Sequence, residues 1–177
     1  MDQVGQAATQ RALNAPTLDD LYAQYPSLRE AEHNITSIAN DEYNCVAWVP
    51  KELDRWYEPG IYWPKGIPEP DDERDLCCYV ALFESWDFEP CDDAAYEPGF
   101  LKVALYEHQG VFKHVAKQLR DGTWSSKAGV LHDFRHHALD DLHPSGIMEN
   151  ARPSVFMRRP DDGSDPQHLE RTGLIPA

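Results

Sequence analysis

Cys45 and His114 are the residues of this sequence best suited by type and setting to covalent chemistry. Tyr43-Asn44-Cys45-Val46-Ala47-Trp48 reads as a loop turning into a helix, which sets a thiol at a helix N-terminus. Unpaired backbone N–H groups and the helix dipole favour the thiolate there, and the thiolate is the form that attacks carbonyls. Val111-Phe112-Lys113-His114-Val115-Ala116 reads as a strand that would hold an imidazole rigidly as the proton acceptor. Strand alternation puts Phe112, His114, Ala116 and Gln118 on one face. If Arg120-Asp121-Gly122 closes a short hairpin, Ala116 pairs with Ser126, and Ser126 lies diagonally from His114. Ser126 and Gln118 are therefore the candidates to orient the ring. The Cys45 backbone N–H, with the Asn44 side chain as a second donor, is the candidate oxyanion hole. Each residue also has a purely structural reading. Cysteine is among the most buried residue types, and a strand histidine can be satisfied by a single hydrogen bond.

The elements that must position this pair follow from periodicity. Thr17 and Asp20 suit a capping box opening a short helix that ends before Pro26. Val46, Val49, Leu53 and Trp56 share a helical face from Cys45 onward, with Pro50 as a kink or restart. Leu76, Tyr79, Val80, Phe83 and Trp86 predict a second helix over 72–86. Segments 101–106, 111–119 and 123–128 predict a three-stranded antiparallel meander joined by Gly-ended hairpins. Leu131, Phe134, Ala138 and Leu142 suggest a helix over 131–142, and Ser154-Val155-Phe156-Met157 one more strand. The implied organisation is an N-terminal polar extension over 1–34, an α+β domain over 35–158, and an irregular tail over 159–177.

With 177 residues, 41% of them hydrophobic, the chain suits one domain with a core of its own. Its net charge of −15 repels phosphate backbones and anionic lipid, which argues against nucleic acid and membrane surfaces as partners. The N-terminal residues lack the basic and apolar regions of a secretory signal, and the cysteines include no C-x-x-C. A reduced, cytoplasmic protein is expected.

Asn44-Cys45 opening a helix, followed by Lys102-Val103-Ala104-Leu105-Tyr106 and His114-Val115-Ala116, resembles the papain-like NlpC/P60 and CHAP superfamily. More closely, Tyr43–Trp48, Tyr62-Trp63-Pro64, Val103–Tyr106 and Trp124-Ser125-Ser126-Lys127-Ala128-Gly129 resemble a family of bacterial hypothetical proteins of unknown function. The papain-like resemblance implies helices packed on an antiparallel sheet, with Cys45 as nucleophile and His114 as general base. Asn44 stands where NlpC/P60 proteins often carry Asp, and the wall-binding modules of that group are not seen. An amide, isopeptide or thioester bond in a protein or peptide is the implied target, and no cofactor is required. Trp48, Trp63 and Trp124 are the candidate substrate-groove aromatics.

Two rivals arise from the same sequence. His132 and His136 stand at the spacing of a zinc-protease helix, with Asp140 or His143 as a third ligand, but they form a polar face that solvent alone would satisfy. No metal site is therefore expected. The rival from another class is a non-catalytic protein-binding module, of effector, toxin-neutralising or regulatory type, using the acidic surface and the aromatic loop.

Overall fold

The computed structural model describes residues 15–71, 74–142 and 149–164. The first described helix, α1 (Leu18–Gln24), carries the expected capping box. Thr17 N–H donates to the Asp20 carboxylate at 2.7 Å, and Asp20 N–H returns to Thr17 Oγ1 at 3.4 Å. Pro26 ends this helix and starts a single 3-10 turn, Pro26–Arg29.

Seven strands then form one antiparallel sheet: β1 (His33–Ile35), β2 (Glu89–Cys91), β3 (Phe100–His108), β4 (Val111–Gln118), β5 (Trp124–Lys127), β6 (Asp133–His136) and β7 (Arg152–Pro160). Their order across the sheet is β1-β6-β5-β4-β3-β7-β2. The central meander matches its expected place. Gln109 and Gly110 both take left-handed φ, the geometry of a two-residue hairpin whose twist matches its strands. Leu119 N–H bonds Thr123 C=O at 2.7 Å, which closes the next hairpin and sets Ala116 opposite Ser126.

The papain-like α+β architecture is not what forms. Among the described residues, helix is confined to short pieces laid against the sheet: α1, α2 (Cys45–Trp48) and α3 (Leu76–Glu84), with 3-10 turns. Pro50 has no N–H to continue a helix and Lys51 takes a left-handed φ of 65°, so the Cys45 helix stops after about one turn instead of reaching Trp56. The expected 131–142 helix is instead strand β6 followed by a 3-10 turn, Leu139–Leu142. Its apolar spacing fits a helix, but β6 pairs with β5 on one side and β1 on the other, and that ladder outweighs local preference.

Apolar clusters cover both faces of the sheet. One gathers α2 and α3 with Tyr57, Val103, Leu105, Phe112, Val115 and Met157. The other gathers α1 and the 3-10 turns with Ala104, Tyr106, Ala116, Trp124 and Phe134. A register slip in β4 sorts residues between them. Tyr106 pairs with His114 but Glu107 pairs with Phe112, so Lys113 is an extra, bulged residue. Phe112 consequently falls on the α2 side and stacks on Tyr79 with ring centroids 3.9 Å apart. His114 stays on the α1 side. The expected common face of Phe112 and His114 is thus broken by one residue.

A buried asparagine holds α2 in place. Asn44 Oδ1 accepts the N–H groups of Ala47 and Tyr57, and Nδ2 donates to Tyr57 C=O at 2.9 Å. Asn44→Ala removes a helix cap and strands buried backbone groups, so a loss of about 2–3 kcal/mol is expected in urea unfolding. Asn44→Asp keeps the Oδ1 acceptor and should lose less. Equal unfolding midpoints for the wild type and Asn44→Ala would show that the clamp contributes nothing.

Candidate active site

The outer half of β4 lacks a continuous neighbour on the β5 side. Pairing with β5 stops at Ala116 and Ser126, because the chain leaves the sheet after Lys127 through Gly129, whose φ is +54°. Further out, residues 74–76 dock on the same edge. Phe112 N–H bonds Arg74 C=O and Leu76 N–H bonds Gly110 C=O, each at 2.9 Å. Between these two partners residues 112–114 border a cleft of about 460 Å³. The Cys45 sulfur lies close enough to the backbone N–H of Val115 for that dipole to favour its thiolate.

Cys45 and His114 both line this cleft, approaching from opposite sides of the sheet. Tyr25 and Tyr79 line it as well, and the ion-paired side chains of Arg74 and Glu58 stand in its wall. Tyr25 links the halves. Its ring centroid is 6.2 Å from that of His114, and it lies close enough to Cys45 for the two ionisations to oppose each other.

Burial sets the charge state. It pushes the Cys45 thiol up to about 11, against the opposing pull of the Val115 N–H and the Arg74 guanidinium. It pulls the His114 imidazole down to about 3, with His136 adding repulsion. It also raises the phenols of Tyr25 and Tyr79. At neutral pH the cleft therefore presents a thiol, a neutral imidazole and two phenols.

Ser126 lies where strand register expected it, with Oγ 3.0 Å from His114 Nε2. The same oxygen is 3.1 Å from His136 Nε2, and His136 Nδ1 is 2.8 Å from the Ala138 carbonyl oxygen. Gln118 shares that face but donates to Ala94 C=O, away from the histidine. The Asn44 amide lines the cleft while committed to its capping bonds, whereas the Cys45 N–H, at the first helical position, has no carbonyl a turn earlier to bond.

The candidate groove tryptophans lie elsewhere. Trp48 is buried, stacked on Tyr43 and donating to Ser125 Oγ at 3.0 Å. Trp63 packs on Tyr79 and bonds Pro68 C=O, and Trp124 belongs to the opposite core. The aromatic walls come instead from Tyr25, Tyr57, Tyr79, Trp56 and Phe112. The zinc-helix spacing of His132 and His136 dissolves with the helix itself, and His143 lies outside the described residues. Tyr25, Glu58 and Arg74 carry no local sequence motif, since only long-range docking brings them to Cys45.

Two buried histidines with lowered pKa make folding sensitive to acid. The unfolded chain takes up their protons near the usual 6.5, the folded chain only near about 3 for His114 and about 4 for His136. Their contribution to stability is complete above pH 6.5 and is lost as the pH falls toward those values, at about 1.4 kcal/mol per pH unit for each histidine. Thermal midpoints should therefore drop steeply on acidification, and His136→Gln should flatten the slope. A midpoint independent of pH in that window would contradict the neutral burial of the pair.

No described helix is long and apolar enough to cross a membrane. No curated protein and no solved structure matches the chain, and the NlpC/P60 and CHAP resemblance gains no support. A family match does cover most of the sequence, with Cys45, His114, Ser126 and His136 inside it. Over residues 34–148 the chain belongs to the family described as a domain of unknown function, DUF7689.

Proposed function

We propose that this protein is a cysteine-dependent hydrolase of amide, isopeptide or thioester bonds in a protein or peptide. The observation that supports this most directly is that Cys45 and His114 both line one cleft. Ser126 engages His114 Nε2, which leaves Nδ1 without a hydrogen bond among the described residues. That nitrogen is the base of the reaction. As the Cys45 sulfur attacks the carbonyl carbon, Nδ1 takes the thiol proton, so neither group must ionise in the resting protein. The tetrahedral oxyanion is met by the Cys45 N–H and the neutral Tyr25 hydroxyl. Collapse breaks the bond to the leaving group, which takes the proton from His114, and leaves a thioester on Cys45. Water then attacks that thioester and gives a proton to His114. The C–S bond breaks, the sulfur takes that proton back from His114, and a carboxylic acid product leaves.

The same burial favours a second reading, a non-catalytic binding module whose Cys45 serves packing. Acylation separates the two. With 4-nitrophenyl acetate or a short acyl thioester, intact-mass and peptide mapping should find the acyl group on Cys45. Labelling should vanish in Cys45→Ala and slow by about 100-fold or more in His114→Ala. Acylation of Cys45 no faster than of exposed Cys77, or untouched by His114→Ala, would favour the binding module.

The charge states add a pH signature. With Cys45 at about 11 and His114 at about 3, the neutral pair persists across the range between them. The acylation rate should be level from roughly pH 5 to 9. An unassisted thiol would instead gain about tenfold per pH unit as its thiolate accumulates, and that slope would remove His114 from the mechanism.

A further inference from the structure

We infer that His136 is a positioning residue which, acting through Ser126, fixes His114 in the Nε2–H tautomer and keeps Nδ1 as its proton-accepting atom. The geometry carries this from one end of a chain of hydrogen bonds to the other. A backbone carbonyl can only accept, so the 2.8 Å contact with Ala138 C=O requires the proton on His136 Nδ1. In a neutral imidazole the other nitrogen is then a bare acceptor. His136 Nε2 must accept from Ser126 Oγ–H across 3.1 Å. The serine has a single proton, and it is now used. Ser126 Oγ can only accept from His114 Nε2 across 3.0 Å, so that nitrogen carries hydrogen and Nδ1 carries the lone pair.

Reversing the chain would place protons on both nitrogens of His136, an imidazolium in a site with no solvent exposure. The members have little freedom to rearrange. Ser126 sits in a central strand, paired with Ala116 on one side and Phe134 on the other. His136 pairs with Trp124 and His33, and its ring packs 5.6 Å from Phe134. The Ala138 carbonyl is held just ahead of the 3-10 turn, where Ala138 N–H bonds the Asp141 carboxylate at 2.7 Å. A carbonyl just past β6 therefore decides which nitrogen of His114 is basic. The tautomer assignment stands on geometry alone, and its catalytic meaning rests on the Cys45–His114 reading proposed above.

Long-range nitrogen–proton correlation spectra of the full chain, labelled with ¹⁵N-histidine at neutral pH, test it without any substrate. The His114 and His136 signals are identified by their loss in His114→Gln and His136→Gln. The two rings should show opposite tautomers: His114 with pyrrole-type Nε2 and pyridine-type Nδ1, His136 the reverse. In His136→Phe the serine proton is released to donate to His114, whose signals should move toward the Nδ1–H form. In Ser126→Ala, which only deletes an oxygen, His114 should become a mixture of tautomers. A wild-type His114 in the Nδ1–H form, or a His114 tautomer unchanged in both variants, overturns the inference. Acylation of Cys45 in the same samples reports separately on the hydrolase. Opposite tautomers without acylation would leave the relay standing and remove the enzyme.

Discussion

The open edge of β4 is the constraint on which the rest of the site depends. Every buried backbone N–H and C=O in a sheet needs a partner, and a central strand normally finds all of them on two neighbours. On one side β4 has a full neighbour in β3. On the other, β5 partners residues 116–118 and residues 74–76 partner 110–112, with the Cys45 sulfur beside Val115 between them. The cleft opens between these two stretches. The thiol thus stands beside the break in the backbone ladder. The same arrangement explains how Cys45, packed on one face, reaches the cleft lined by His114 from the other.

Polar groups beneath the sheet faces reinforce this geometry. Lys117 and Lys127 are both fully buried on the α2 side. Lys117 Nζ reaches the Val49 carbonyl just past the end of α2, and Lys127 Nζ donates to Asn40 and Leu131 carbonyls at 2.9 and 2.6 Å. Burial pulls Lys127 down to about 8 even though Asp133 lies 3.8 Å away and opposes the shift. Asp133 is itself raised by burial while accepting from the Tyr43 hydroxyl at 2.6 Å. These ammonium groups tie the loop before Cys45, the turn after it and the loop after β5 to the sheet. Breaking one would leave an uncompensated buried charge, so the segment bearing the thiol has few alternative positions.

The sequence exposed the central sheet because its local signals agree with one another. Gln109-Gly110 suits a two-residue turn, and the register from Leu119 and Thr123 led correctly to Ser126 beside His114. It misled where local and global signals conflict. Leu131, Phe134, Ala138 and Leu142 keep helical spacing, yet Phe134 and His136 belong to a strand wedged between two others. The stretch after Cys45 keeps helical spacing too, but Pro50 and Lys51 stop the helix almost at once. With those helices lost, the expected helix-on-sheet architecture gave way to a seven-stranded sheet. The bulge at Lys113 has no sequence mark, although it alone separates Phe112 from the histidine face. Arg74, Glu58 and Tyr25 were invisible for a different reason: residues 74–76 dock by backbone pairing, which leaves no side-chain pattern to read.

The electrostatics of the cleft narrow the chemistry that Cys45 could serve. The chain carries a net charge of −15, yet the charged groups nearest the thiol, Arg74 and Glu58, neutralise each other. A phosphate entering there would have to compete with Glu58 for the Arg74 guanidinium. A neutral acyl group has no such cost, and the surrounding phenols and imidazole offer hydrogen bonds without competing charge. A buried neutral thiol is a poor resting nucleophile, but the low dielectric that keeps it neutral also strengthens any dipole aimed at a developing oxyanion. The site therefore favours charge that forms during reaction over charge already present in the ligand. That preference suits a carbonyl centre such as an amide or thioester better than an anionic one.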